Sequence, residues 1–157
     1  MCKSITPVFV ADRSELYERS FFMNTTSFNN AVIVDMLKSG NLYVGLSTSN
    51  PGGSGDKTGE PSGNNYSRQP LNLGNPISGN VKNSADITFN IASGSWGTIT
   101  YYMICTKQSN TTSDDTVYIY GKLRDSDGNI IQRTIEKDMQ LIIPANSINI
   151  SVGGTIE

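Results

Sequence analysis

The sequence predicts an all-β protein with one N-terminal helix, folded as an antiparallel β-sandwich or a jelly-roll-like barrel. The composition supports this class, because 36% apolar and 17% charged residues, with 15 glycines among 157 residues, are typical of strands that face water on one side. Apolar residues recur with a period of two from Leu42 onward, which is the pattern of β-strands. Turn-forming residues separate seven or eight such segments at spacings of roughly 8–12 residues, and that spacing favours a sandwich or a barrel.

Two parts of the chain differ in character. Residues 1–24, in which apolar residues flank a charged stretch, are predicted to form an N-terminal arm or extension that either folds locally or becomes ordered only against a partner. One hypothesis is that Met23 is the natural start, so that the residues before it extend the domain. Residues 25–157 are predicted to form a single β-sandwich domain.

The first element of this domain is a helix predicted over Thr26–Ser39. Either Thr26 or Ser27 can cap its N-terminus, and Gly40 stands where a left-handed residue commonly ends a helix. The apolar residues fall at helical spacing and form one stripe for burial, which two further residues widen toward a second side. The stripe consists of Phe28, Ala31, Val32, Met36 and Leu37, and it is widened by Ile33 and Val34.

The predicted strands follow the helix. They cover residues 42–48, 66–73, 86–91, 97–106, 116–124, 130–135, 139–144 and 147–152. Pro70 makes the second of them an edge strand or a bulge, since proline cannot donate a hydrogen bond to a ladder. In the third, Ile87, Phe89 and Ile91 alternate toward the core. Residues 126–129, SDGN, predict a hairpin turn after the fifth.

A long polar loop separates the first two strands. Residues 54–65 contain almost nothing apolar, and a loop of this length usually marks a functional or mobile segment, so we expect it to form a distal or partner-facing tip. The glycine-rich residues 51–58, PGGSGDKT, resemble a phosphate-binding loop, but Asp56 and Pro51 stand where that motif requires glycine. A surface loop is therefore predicted here.

Several kinds of chemistry are excluded by composition. The chain has no histidine, which removes Ser–His and Cys–His catalytic pairs and histidine metal ligands. Cys2 and Cys105 are too few for a zinc site or a disulfide framework, and both thiols are expected to stay reduced in a cytoplasm. A net charge of −2 and a pI of about 5.1 provide no basic field for nucleic acid. No apolar run approaches the roughly 20 residues that cross a bilayer.

Acidic residues are the remaining candidates for metal ligands and for catalytic groups. Asp125, Asp127, Asn129 and Glu136 occupy four positions of a calcium-loop pattern, but Ile130 stands where the sharp turn requires glycine, so a hairpin turn is predicted, with a weak calcium site as the alternative. A glycosidase needs a pair of neighbouring carboxylates, one with a raised pKa. The remaining candidates are scattered, and each is predicted to be a solvated surface charge: Asp12, Glu15, Asp35, Glu60, Asp86, Asp114 and Asp115. We therefore expect no enzyme activity, no catalytic, cofactor-binding or metal-binding residues, and no cofactor.

Aromatic residues on the middle strands have two interpretations. Tyr102, Tyr118 and Tyr120 alternate with core positions, so a shared outward face is predicted for them. Cross-strand packing or burial under a partner subunit is one interpretation. The alternative is a sugar-stacking platform that would also include Trp96 and Tyr101.

The order of motifs along the chain resembles a known family. A short helix runs into LYVGLSTSNPG (42–52), and EPSGNNYSRQPL (60–71), NSADITFNIASGSWGTITYYMI (83–104), YIYGKLR (118–124) and MQLIIPANSINISV (139–152) follow. This order is similar to that of the small phage tail-fibre or virion-protein family, over about residues 27–152. Members often carry a histidine after the first strand and after the WGT motif, and this chain has none. Residues 1–24 have no counterpart in the family.

The resemblance implies a non-enzymatic virion structural protein, placed in a tail fibre, a tail tip or a surface decoration. Such a protein is expected to assemble in the host bacterial cytoplasm, to form a homo-oligomer, with a trimer as the commonest arrangement, and to dock on other phage tail or capsid proteins. The alternative is a host-receptor or glycan-binding module on the virion surface. The residues expected at subunit contacts are Val8, Phe9, Val10, Phe21, Phe22, Tyr102, Tyr118 and Tyr120.

Overall fold

The computed structural model describes residues 26–38 and 40–151, and it consists of a helical segment followed by short strands. An α-helix, α1 (Thr26–Ile33), continues into a π-helical turn, Val34–Lys38. The strands are β1 (Tyr43–Ser47), β2 (Gln69–Pro70), β3 (Asn80–Lys82), β4 (Ile87–Thr88), β5 (Gly97–Ile99), β6 (Tyr101–Cys105), β7 (Val117–Lys122), β8 (Arg133–Ile135), β9 (Ile142–Ile143) and β10 (Asn149–Ser151). The predicted class, all-β with one helix, is confirmed.

The N-terminal arm lies outside the described residues, and with it lie five of the predicted subunit contacts, Val8, Phe9, Val10, Phe21 and Phe22. In the part of the chain that is described, no helix has the length and apolar character needed to span a membrane.

The strands form one larger sheet and three small ladders, all antiparallel. The central sheet has the order β2-β1-β6-β7, and the ladders are β10-β3, β4-β9 and β5-β8. The segment predicted as one strand over 97–106 is divided at Thr100 into β5 and β6. Residues 124–130 leave the sheet and return through an Arg124–Ile130 bridge, after which the chain continues into β8. β8 therefore pairs with β5 and not with β7, so the predicted turn forms but is followed by only a minimal hairpin.

The helical segment buries fewer residues than its sequence predicts. Ile33 and Leu37 are buried, whereas Ala31, Val34 and Met36 are exposed. The predicted stripe assumes a regular α-helix, and the wider π-helical turn changes the direction of the side chains at Val34 and Met36. Ala31 lies before this turn and is exposed in the α-helix itself. The predictions for Ala31, Val34 and Met36 are therefore wrong.

The core is one hydrophobic cluster to which the helix and every ladder contribute. The rings of Tyr66 and Trp96 pack edge to face with centroids 5.3 Å apart, and Phe89 lies 6.4 Å from Trp96. Ile91 does not join this core, although its strand pattern predicts that it does, and 55% of its side chain is exposed. β4 ends at Thr88, and the Ala92 amide then donates to the Met139 carbonyl at 2.9 Å, so Ala92 takes the buried position.

Candidate functional site

The register of the central sheet sorts its side chains onto two faces. Residues directly opposite each other in an antiparallel pair lie on the same face. Ile104 pairs with Ile119, and both belong to or pack against the hydrophobic core, so their face is the core face. Gly45, Met103 and Tyr120 form a row across three strands on the opposite face, which we call the outer face. The two halves of this outer face are very different.

The half of the outer face over β1 is covered by the loop between β1 and β2. A Cβ atom on Gly45 would lie 3.0 Å from Glu60 Oε1 and 3.3 Å from Arg68 Nε, so this loop's charged side chains rest directly on the strand backbone. Any side chain at Gly45 would displace them. The loop is also tied to the end of β1, because the Thr48 amide donates to the Gly59 carbonyl at 2.9 Å.

Four charged residues of opposite sign hold this loop in place, and we call them the ion cluster: Lys57, Glu60, Arg68 and Asp115. Arg68 donates from Nε and Nη2 to the two carboxylate oxygens of Glu60, both at 2.7 Å. Its Nη1 donates to both oxygens of Asp115 at 2.9 and 3.0 Å. Lys57 donates to Asp115 at 2.8 Å. Two positive and two negative charges balance, which is what burial of charge requires.

This cluster corrects the predictions for Glu60 and Asp115. They are not solvated surface charges, because both are buried against Arg68, whose side chain is only 1% exposed. The loop is held at its middle, where Lys57 is anchored to Asp115 in the segment before β7. Its role as a distal or partner-facing tip stays a prediction.

Electrostatics explains why the cluster stays ionised. Burial disfavours the charged form of Arg68, but the hydrogen bonds and charge of Glu60 outweigh it and raise the pKa of the guanidinium. Burial likewise opposes ionisation of Asp115, yet the hydrogen bonds from Lys57 and Arg68 prevail and lower its pKa. Tyr66 donates to Glu60 at 2.9 Å and accepts from the Leu46 amide, and burial together with the charge of Glu60 raises its pKa. Every carboxylate oxygen in the cluster accepts a hydrogen bond, so the cluster is built to hold the loop.

Cys105 lies on β6 beneath the same loop. Burial raises the pKa of its thiol to about 12, so the thiolate form that a nucleophile or a metal ligand needs is disfavoured. This residue packs as an apolar side chain.

The other half of the outer face is open and carries three tyrosines, which we call the tyrosine face: Tyr101, Tyr118 and Tyr120. Tyr118 is 51% exposed and Tyr120 is 39% exposed. The rings of Tyr101 and Tyr120 lie side by side, with centroids 6.4 Å apart and an interplanar angle of 53°. Tyr118 also lines a groove of about 550 Å³, whose walls include Met36 and Tyr43.

Tyr102 does not belong to this face, so the prediction that it points outward with Tyr118 and Tyr120 is wrong. It packs against the hydrophobic core, where its ring lies over Gly121, and a Cβ atom on that glycine would be 2.6 Å from the Tyr102 hydroxyl. Burial raises the pKa of Tyr102. Because the loop buries part of the outer face as well, β6 has buried residues on both sides, and alternation alone does not show which side is the core.

Trp96 is also absent from the exposed aromatic surface. It is buried, and its indole N–H donates to the Asn64 carbonyl at 2.9 Å. Its role is to fix the loop segment before β2 against the core, in keeping with the preference of buried tryptophan for a partner at its N–H.

The two edges of the central sheet differ as much as the two halves of its outer face. At β2 the Leu71 amide donates to the Leu42 carbonyl, so alternation places the nitrogen of Pro70 on the side that faces away from β1. Pro70 has no N–H, and this edge therefore offers no outward donor at that position. β7 forms the other edge with six residues and no proline.

The remaining sequence motifs form local turns. The Asp56 carboxylate accepts from the amide and the hydroxyl of Thr58, both at 2.9 Å. The Asp125 carboxylate accepts from the amides of Asp127 and Asn129, while Glu136 accepts from the Ser95 hydroxyl elsewhere. Among the residues that the structure describes, no group of three or more acidic or cysteine side chains is arranged to hold a metal ion.

Comparison with known families identifies a match over most of the chain. The model of a family described as "Podophage GP4 fiber I protein gp80" matches residues 26–151, which is most of the chain and the whole span from α1 to β10. No curated protein matches the chain.

Proposed function

The chain belongs to this family of podophage fibre proteins, and from that premise we propose that it is a building block of the virion that self-assembles and docks on other virion proteins. The membership confirms the coarser prediction of a phage fibre protein. We further propose that it has no catalytic role. One observation carries the proposal of self-assembly, namely the tyrosine face on the outer side of the central sheet.

The tyrosine face has the properties of a protein-binding surface. Tyrosine combines a large apolar ring with a polar tip, and it is enriched in the buried centres of interfaces. Tyr118 and Tyr120 expose much of their rings to water, and covering them removes apolar area at little entropic cost, because a tyrosine has only two side-chain torsions.

The neighbouring ion cluster makes this surface rigid. It anchors the loop to β1 and, through Asp115, to the residue pair before β7. A preorganised surface loses less conformational freedom on binding, so more of the contact energy appears as affinity. The small net charge of −2 also leaves little repulsion between copies.

The proposal is tested by the mass of the purified full chain in solution, measured by light scattering over a range of concentrations. We expect an oligomer for the unmodified chain and a monomer for the double variant Tyr118→Ser/Tyr120→Ser. The matched control is Ile142→Ser, which removes an apolar side chain of similar exposure, 48%, from β9 and leaves the mass unchanged. A monomer for the unmodified chain at every concentration contradicts self-assembly.

The same measurement on a chain shortened to residues 24–157 tests the predicted arm. If Val8, Phe9, Val10, Phe21 and Phe22 make subunit contacts, the shortened chain has a lower mass than the full chain. An unchanged mass removes these residues from the assembly surface. The measured mass also decides whether the homo-oligomer is a trimer, as the resemblance implies.

A host-glycan-binding function is the second candidate, and the paired rings of Tyr101 and Tyr120 favour it, because two neighbouring aromatic rings on one face form a shallow stacking platform. A glycan array probed with the full chain tests it. Selective binding that is lost in Tyr118→Ala and Tyr120→Ala supports the second candidate. An array without binding, together with normal incorporation of the protein into particles, supports the first.

A further inference from the structure

We propose that β7 pairs edge to edge with β7 of a second copy, antiparallel and about a two-fold axis at Tyr120, so that the central sheet continues across the subunit boundary. This inference rests on the self-assembly proposed above and specifies the contact that produces it.

The first step is the direction of the backbone groups on β7. The Leu123 amide donates to the Thr100 carbonyl at 3.0 Å, in register with the β6–β7 ladder. Hydrogen-bonded and non-hydrogen-bonded pairs alternate along an antiparallel ladder, so Gly121 and Ile119 also bond to β6. Tyr120 and Lys122 then direct their N–H and C=O groups away from β6.

The outward groups of Tyr120 and Lys122 have no strand beside them in the described part of the chain, where β7 pairs with β6 alone. The bridge between Arg124 and Ile130 begins just beyond the end of β7, so the open part of this edge ends at Lys122. An open row of donors and acceptors on an edge strand is a template for pairing with another chain. The exposed rings of Tyr118 and Tyr120 lie along the same edge, so pairing would cover apolar area while it satisfies the backbone.

The second step identifies a second copy as the occupant. Addition of β7 to β2 of the next copy would build an open chain of sheets, but β2 has two residues and carries Pro70 at its outward position. Pairing of β7 with its own counterpart needs only the open edge. A contact between identical surfaces closes about a two-fold axis, which is the commonest symmetry of homo-oligomers.

The register at Tyr120 is favoured over registers centred on Lys122 or Tyr118. An axis at Lys122 would place two lysines directly opposite each other, which is unfavourable. An axis at Tyr118 would centre the pair on an irregular position. In the β6–β7 ladder Ile104 pairs with Ile119 and Cys105 pairs with Val117. Tyr118 is therefore the extra residue of a bulge. An axis at Tyr120 pairs this tyrosine with itself and brings the ammonium of Lys122 near Tyr118 of the second copy, a favourable cation–aromatic contact.

Disulfide trapping tests the register in the full chain, with Cys2→Ser as the background and Cys105 left in its buried position. In Tyr120→Cys, the two introduced residues face each other with Cα atoms about 5.5 Å apart, which a disulfide can bridge. In the matched variant Tyr118→Cys, the two introduced residues are offset by four positions, about 13 Å, which is too far. The double variant Tyr118→Cys/Lys122→Cys brings a bridgeable pair together again.

Under mild oxidation we expect covalent dimers from Tyr120→Cys and from the double variant, and several-fold fewer from Tyr118→Cys. Equal or greater trapping of Tyr118→Cys overturns the proposed register. If the unmodified chain forms oligomers by light scattering and neither Tyr120→Cys nor the double variant is trapped, edge pairing fails while self-assembly stands. If the unmodified chain is monomeric at all concentrations, both proposals fail together.

Discussion

The two sides of the central sheet, the β2 side and the β7 side, are both built from antiparallel strands, but they differ in what covers the outer face and the edge. On the β2 side a loop covers the outer face, the ion cluster anchors that loop, and Pro70 removes the outward donor from the edge. On the β7 side the outer face carries exposed tyrosines and the edge is open. The comparison supports the proposal that the β2 side stabilises the fold and that the β7 side mediates assembly. Substitutions on the β2 side should therefore change the free energy of unfolding, and substitutions on the β7 side should change the mass of the assembly in solution.

The largest effect is expected from Arg68→Met on the closed side. This change removes the cation that lies between Glu60 and Asp115 and leaves two buried carboxylates with less compensation. We expect the free energy of unfolding to fall by about 3–5 kcal/mol, as measured by urea denaturation. If Arg68→Met is as stable as the unmodified chain, the cluster does not hold the loop.

The control for this experiment is Asp114→Asn. It breaks the ion pair between Lys107 and Asp114, which is as short, 2.8 Å, but lies in solvent, with side chains 43% and 67% exposed. Exposed pairs contribute little to stability, so we expect almost no change in the urea midpoint.

The next largest effect is expected from Gly121→Ala, a substitution on β7 that adds a methyl group on the core face. A Cβ atom here would lie 2.6–2.8 Å from the hydroxyl and ring of Tyr102, so the ring must move within a packed core. We expect a loss of about 1–3 kcal/mol in the free energy of unfolding, measured in the same way. Gly53→Ala is the matched control, because nothing lies within 4 Å of a Cβ atom there. Equal stability of the two variants would show that Tyr102 does not pack over Gly121.

An acid titration should weaken the closed side in a defined direction. The pKa of Asp115 is lowered in the folded protein by Lys57 and Arg68, despite the opposing effect of burial. A carboxylate with a depressed folded pKa stabilises the protein above its unfolded pKa, near 3.8, and this contribution is lost as the pH falls through the folded value. The urea concentration at the unfolding midpoint should thus decline below about pH 4. The decline should be less steep in Asp115→Asn, because asparagine does not titrate. Parallel curves for the two chains would contradict this role of Asp115.

The smallest effect is expected from Pro70→Ala, which restores an outward N–H to the closed edge. β2 has only two residues, so we expect a change in the free energy of unfolding of less than about 1 kcal/mol and no change in mass by light scattering. Larger assemblies of this variant would show that the proline alone keeps this edge from pairing. The short length of β2 would then not explain the difference between the two edges.

The sequence predicts the fold better than it predicts the functional surface. The period-two pattern locates most strands, and Pro70 correctly marks an edge, because these signals are local. The period-two pattern does not predict β3, because its three residues, Asn80–Lys82, include only one apolar side chain. The shift at Ile91 and the π-helical turn at Val34–Lys38 arise from tertiary packing and leave no periodic signal.

The complete ion cluster could not be predicted because Asp115 is far in sequence from Lys57, Glu60 and Arg68, which lie within one loop. Asp115 lies 47 residues from Arg68, and only the fold brings them together. A local signal did exist at Tyr66 and Arg68, which stand two residues apart next to a proline-marked edge strand and belong to the motif that resembles the phage family. The sequence indicates Tyr101 only as part of the alternative sugar-stacking platform, because alternation does not distinguish the two faces of β6, both of which carry buried residues.

The most direct test of the open edge is the exchange rate of single backbone amides, followed by NMR at low and high protein concentration. We expect the amides of Tyr120 and Lys122 to exchange fast in dilute solution and to become protected as the chain associates. The amides of Ile119 and Gly121, which bond to β6, should be protected at both concentrations. Fast exchange at Tyr120 and Lys122 in a solution that light scattering shows to be oligomeric would contradict pairing at this edge.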